Sequence, residues 1–330
     1  MGETPYLCTQ KSKQMKCMKK TVFAITLLIA GGFSSVKAEG NTTTANSNTG
    51  SVRYVKAPRF ARPLVEKWIS EYAKTQPGTE FQIAKGNQQV TVDLNVVLDS
   101  KENNNHDFSP IIFFGETAVL PITARSSEAA RLLEGKHLNQ KKLKQLYFLN
   151  DDLEEDTKKL KQFEQIIVYS GSNRASAAAS FAQNLGEESS NFRGKRISGD
   201  DLFLNTALTK DPLGVSFNTL PNIFDLQSRH VKSELSIIGL DLKKDLEAHF
   251  SDEASLDDVL QLLENGRIPE VAVEKVGLTY NVTDDAVVQF LHWILTNGTK
   301  YNHEFGLQNL DRKEASIETE KVRTVFTAQK

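Results

Sequence analysis

The apolar positions of this chain change period several times, and each change predicts an element. Between Pro63 and Ala73, Leu64, Trp68, Ile69 and Tyr72 fall on one face at helical spacing. Proline suits a first helical turn, so a helix is expected there, ended by Pro77-Gly78. A short strand, VRYVKA, precedes it at 52–57. Two strand-like runs follow it, TEFQIAK at 79–85 and the alternating QVTVDLNVVLD at 89–99. Gly86-Asn87 between them predicts a hairpin turn.

The polar stretch 100–107 reads as a loop, and 111–114 and 117–122 as two apolar strands. Helices are expected over 138–148 and 156–163. A buried strand at 165–169 runs directly into Ser170-Gly171-Ser172-Asn173-Arg174 and a small-residue helix at 175–185, closed by Gly186. Residues 187–200 look loop-like. A short helix at 201–209 and strands at 214–217 and 236–238 come next. They are followed by a helix at 256–264, a strand at 272–281 and helices at 284–296 and 312–324. Strands alternating with helices argue for an α/β architecture. No Gly-Ser or proline-rich linker divides the chain, so two lobes would be joined by crossing strands.

The N-terminal pattern is of another kind. Lys16, Lys19 and Lys20 precede an apolar stretch from Val22 to Ala30, Gly31-Gly32 break it, and Val36-Lys37-Ala38 offers a cleavage site. Residues 1–38 therefore read as a signal peptide with an upstream extension, and 39–51 as a disordered polar leader. The apolar stretch is about half the ~20 residues a membrane span needs. Cys8, Cys17, Met1, Met15 and Met18 all precede the expected cut, so the mature chain would contain no sulfur, as suits an oxidising compartment. No cysteine follows the apolar core, which excludes a lipid-anchored lipoprotein. Beyond residue 38 the chain holds 34 basic against 41 acidic residues, a net charge of −7, which argues against nucleic-acid binding.

The best local site is the strand-to-helix junction. A helix N-terminus exposes unpaired N–H groups and about half a positive charge. Ser170 and Ser172 add hydroxyls, Gly171 permits a tight turn, and Asn173 and Arg174 add donors, a set suited to an anion. Simple capping of the helix by Ser172 or Asn173 is the alternative. Arg59-Phe60-Ala61-Arg62, just before a helix, is the second candidate, because the helix dipole disfavours cations there and a bound anion or acidic partner would offset this; two solvated arginines near a loop are the alternative. Catalytic patterns are missing: the six histidines form no zinc-ligand spacing, and no nucleophile elbow occurs. No enzyme, metal or cofactor is expected.

The order of motifs resembles that of periplasmic phosphate-binding proteins of ABC transporters. Phe60, Pro63, Leu64, Lys67 and Trp68 match the family's opening turn and helix. The 133–148 element, the Ser-Gly-Ser loop with its helix at 169–181, the 211–217 strand and the 286–310 helix follow in the family's order. The resemblance covers about 52–325 and implies a type II periplasmic-binding-protein fold, two α/β lobes joined by a hinge with two crossovers. It implies one lobe of 52–117 plus 221–330, another of 118–220, and a ligand between them. The implied ligand residues are Arg59, Phe60, Ser170, Gly171 and Ser172, with Arg62, Asn173 and Arg174 beside them.

The family's glycine-rich turn is replaced by Lys85–Gln89, and its threonine in the first turn by Arg59. Its proton-accepting aspartate is not recognisable, and Asp107-Phe108-Ser109 echoes that segment in another setting. Replacement of the acceptor by arginine would favour a fully ionised or different oxyanion. The resemblance thus implies a soluble periplasmic protein that binds inorganic phosphate or a related oxyanion and works with an ABC permease. The alternative is a degenerate binding-protein domain acting as an interaction module for an envelope protein.

Overall fold

The computed structural model of the chain describes residues 52–86, 88–99, 110–149, 163–172, 177–281 and 283–328, with side chains to 324. The expected signal segment, the leader, the 100–107 loop and the 156–162 part of the expected helix lie outside them.

Strand β1 (Arg53–Lys56) leads into helix α1 (Arg62–Thr75), with Pro63 in its first turn and Leu64, Val65, Trp68 and Tyr72 buried. The Trp68 indole donates to the Gly298 carbonyl at 2.9 Å and meets Phe114 edge-on at 4.8 Å. Strands β2 (Phe81–Ile83) and β3 (Leu94–Leu98) do not form the expected hairpin. Both run parallel to β1 and lie on either side of it. Strand β1 supplies pairing partners to both, on its two edges. Only Leu94–Leu98 of the alternating run is strand.

The two apolar strands expected at 111–122 are one strand, β4 (Ile111–Ala124), which carries a bulge between Phe113 and Gly115. The next helices are α2 (Glu128–Leu133), capped by Ser127, and α3 (Gln140–Tyr147), capped by Asn139. Strand β5 (Ile167–Gly171) feeds helix α4 (Ala177–Asn184). Strand β6 (Lys195–Ile197) forms within the stretch expected to be a loop. Gly194, at φ +85°, makes this possible, because a Cβ there would collide with the Val168 backbone. Helix α5 (Leu202–Lys210), strand β7 (Gly214–Thr219), the short helix α6 (Leu220–Ile223) and strand β8 (Leu235–Ile237) follow. The short helix α7 (Lys244–Glu247), helix α8 (Leu256–Asn265), strand β9 (Ala272–Tyr280), helix α9 (Asp285–Trp293) and helix α10 (Arg312–Ala328) complete the chain.

The strands form one sheet in the order β2-β1-β3-β9-β4-β7-β5-β6, with β8 also on β4. Strand β9 runs antiparallel to β4 from Ile111↔Thr279 to Val119↔Ala272. Beyond that point β4 pairs instead with β7 and β8.

Two apolar cores sit along this sheet. The first holds Leu64, Trp68, Phe114, Val276, Leu278 and Phe290, and the second Ala118, Leu120, Tyr147, Phe217, Leu256 and Ala272. Strands β4 and β9 therefore each pass from one core to the other. Apolar residues from Ile223 to Ala272 pack in the second core, alongside the part of β4 that pairs with β8.

Candidate functional site

The expected anion loop begins on β5. Ser170 is fully buried there, and its Oγ has no hydrogen-bond partner among the described residues. Gly171 pairs with Ile197 of β6, and the exposed Ser172 gives its backbone N–H to the Ile197 carbonyl at 3.0 Å. Of the expected loop, Asn173 and Arg174 lie outside the described residues. The first described N–H of α4, Ala177, is accepted by the Asp201 carboxylate at 2.7 Å.

Asp201 has a specific reason to reach there. It sits at the start of α5 and does not cap its own helix, because Asp200 does so, accepting Leu202 N–H at 3.0 Å. The backbone of Asp201 is fixed by Asn218, whose amide donates to the Asp201 carbonyl at 2.9 Å. Asn218 in turn bonds Asn205 and Asn222, a buried chain in which every amide has a partner. Burial pushes the Asp201 carboxyl up to about 6, against the opposing pull of the Ala177 N–H, and the neighbouring Asp200 pushes the same way. Its second oxygen, Oδ1, is shielded and has no partner among the described residues.

Asp200 spans the two cores. Its second oxygen accepts the backbone N–H of Arg59 at 3.2 Å. The Arg59 guanidinium lies over the Phe203 ring, 5.4 Å from its centroid. A cavity of about 290 Å³ lies between these elements. Lys56, Phe60 and Asn95 line it from the first-core elements, and Asp200, Asp201 and Asn222 from the second.

Of the expected residues, Phe60 lines this cavity and Arg59 stands beside it. Arg62 is exposed at the start of α1, and Ser170, Gly171 and Ser172 do not line the cavity. Asp200 and Asp201 both line the cavity. Sequence reasoning missed the Asp200-Asp201 pair. Two acids ahead of an apolar helix read as ordinary capping, and only the approach of α4 to α5 shows that one of them points elsewhere.

The described residues contain no cluster suited to a metal ion. None of their helices is long and apolar enough to cross a membrane.

No family model matches the chain, and no curated protein matches it. Solved structures do. One is from Clostridium perfringens and is described as a phosphate ABC transporter substrate-binding protein with bound phosphate. It superposes with a TM-score of 0.56 at 12% identity, over 79% of this chain and 100% of its own. An ABC-type phosphate transport receptor from Vibrio cholerae aligns at 10% identity with a TM-score of 0.49, over 79% of this chain and 100% of its own. The chain has the type II periplasmic-binding-protein fold.

Proposed function

We propose that this chain is a periplasmic solute-binding protein without catalytic activity. Its ligand is inorganic phosphate or a related small oxyanion taken up with an ABC permease. The ligand lies between the two lobes, in the cavity lined by Lys56, Phe60, Asn95, Asp200, Asp201 and Asn222. Export rests on the Met18–Ala38 pattern, and the sulfur-free remainder of the chain supports it.

The observation that carries the reading is a cavity lined from both cores by Lys56 and Asn95 on one side and by Asp200, Asp201 and Asn222 on the other. A carboxylate oxygen can only accept, so the ligand it suits brings an O–H. Phosphate carries one at neutral pH and sulfate does not. Lys56 supplies positive charge, and Asn95 and Asn222 supply amide donors. Calorimetry with phosphate, sulfate and small carboxylates tests the assignment, and Asp201→Asn reports on the acceptor. Heat from phosphate that survives Asp201→Asn unchanged would remove Asp201 from the site.

A second reading is favoured by a different observation. The Ser172 and Ala177 N–H groups are both satisfied within the chain, by Ile197 and Asp201. A junction whose two described donors are already taken fits a degenerate binding-protein domain that contacts another envelope protein. In that case no oxyanion gives heat, Ser172→Ala has no effect, and pull-down from envelope extract recovers a partner whose binding Arg59→Ala or Phe203→Ala weakens.

A further inference from the structure

The turn between β1 and α1 meets the start of α5 across the two cores. Ala57, Phe60 and Ala61 of that turn are buried in the first core, and Leu204 and Leu208 of α5 in the second. The Pro58 carbonyl closes the turn by accepting the Ala61 and Arg62 N–H groups at 3.1 and 3.0 Å. The Arg59 N–H goes instead to Asp200 Oδ2, at 3.2 Å. Asp200 belongs to the other side, where its Oδ1 accepts the Leu202 N–H at 3.0 Å. One carboxylate therefore holds a helix start beside the second core and a turn beside the first.

A second contact joins the same two elements. Phe203, in the first turn of α5, is 41% exposed and belongs to neither apolar core. The guanidinium of the exposed Arg59 lies over its ring, 5.4 Å from the centroid. The positive end of α1 disfavours a cation so close to it, and the negative face of the ring offsets this. Gly199 makes room for the ring. It holds φ +111°, a conformation that suits glycine, and a Cβ there would come within 2.9 Å of the Phe203 side chain.

We propose that Arg59, Asp200 and Phe203 form a latch that holds the two sides of the cleft together before any ligand enters. The inference rests on the reading of a ligand site between two lobes that close. Phe60, Gly199 and Asp200 line the 290 Å³ cavity, whereas Arg59 and Phe203 do not, so the cation–π half of the latch is separate from the ligand contacts. The latch raises the apparent affinity for a ligand of the closed state, in proportion to the closed fraction that it adds.

The test is amide hydrogen exchange at position 59, followed by NMR on the purified protein in oxyanion-free buffer. Because no ligand is present, a failed latch leaves the phosphate titration to decide the oxyanion reading on its own. The Arg59 N–H is expected to be protected in the unaltered protein, since it exchanges when the Asp200 contact opens. Phe203→Leu keeps an apolar side chain and removes the aromatic face, so a change on one side of the cleft is read on the other. It should lower protection at position 59 by about two- to fivefold, the worth of an exposed cation–π contact. The Tyr54 N–H, which Asp93 accepts at 2.8 Å, should keep its protection. Arg59→Gln should match Phe203→Leu, and the double variant should lose no more than either. An unprotected Arg59 amide, equal protection in Phe203→Leu and the unaltered protein, an equal loss at Tyr54, or additive losses in the double variant would overturn the proposal. If Phe203→Leu does not fold, Arg59→Gln decides by the same measure.

Discussion

Asp201 accepts the Ala177 N–H at 2.7 Å, so the chain's own carboxylate sits at the start of the helix that a sequence reader would offer to an anion. The helix dipole favours that negative charge, but burial opposes it more strongly, and the carboxyl is raised. Asp201→Asn keeps an acceptor for Ala177 and removes the charge. At neutral pH this variant should match or exceed the unaltered protein in urea unfolding and should bind phosphate more weakly. Lower stability at neutral pH would mean that the ionised form is favoured in place.

The pH dependence has a defined sign. Asp201 rises from 3.8 to about 6 on folding, and Glu274 from 4.5 to about 7. The folded state therefore binds protons more tightly than the unfolded chain between those values. Stability should rise as pH falls from about 7.5 toward about 5, by roughly 3 kcal/mol for each group at most. Asp257 and Asp284 are shifted down, by Arg229 and by Arg53 against burial, so further acidification removes stability. Urea midpoints across this range check the trend, and Glu274→Gln should flatten its upper part.

Asn218 links Asp201 to Asn205 and Asn222 within the second core. Asn218→Ala leaves several buried polar groups without partners, at about 1–3 kcal/mol for each group stranded. Thermal unfolding should show that loss. Phosphate binding should weaken further than the stability change accounts for, because Asp201 loses its backbone anchor. Normal affinity in a destabilised variant would show that the network serves folding alone.

The first core predicts a plainer result. Phe114 is 1% exposed and packs edge-on against Trp68, so Phe114→Ala should cost about 3–5 kcal/mol. Denaturant unfolding measures it directly.

Gly194 holds φ +85° against the Val168 backbone. Gly194→Ala should destabilise by about 1–3 kcal/mol from backbone conformation alone, and further through separation of β6 from β5. Amide exchange at Ile197 and Ser172 would report that separation.

Local periodicity was enough to place α1 and α9, because each buries one face. It failed where partners are distant. Val90 and Val92 alternate like a strand, yet lie outside β3, whose limits are set by pairing with Tyr280 through Val276 of β9. The two strands expected at 111–114 and 117–122 are one, because β9 continues alongside through the bulge between Phe113 and Gly115. The Asp200-Asp201 pair was legible as a helix start. That one carboxylate would cap α4 and the other bind Arg59, 141 residues away, depends on packing that no local window contains.

The most direct measurement is calorimetric titration of phosphate and sulfate, side by side, into the purified protein at neutral pH. Binding between the lobes with Asp201 as acceptor predicts saturable heat from phosphate, much less from sulfate, and loss of the phosphate heat in Asp201→Asn. No heat from any small oxyanion, or equal heat from sulfate, would contradict it.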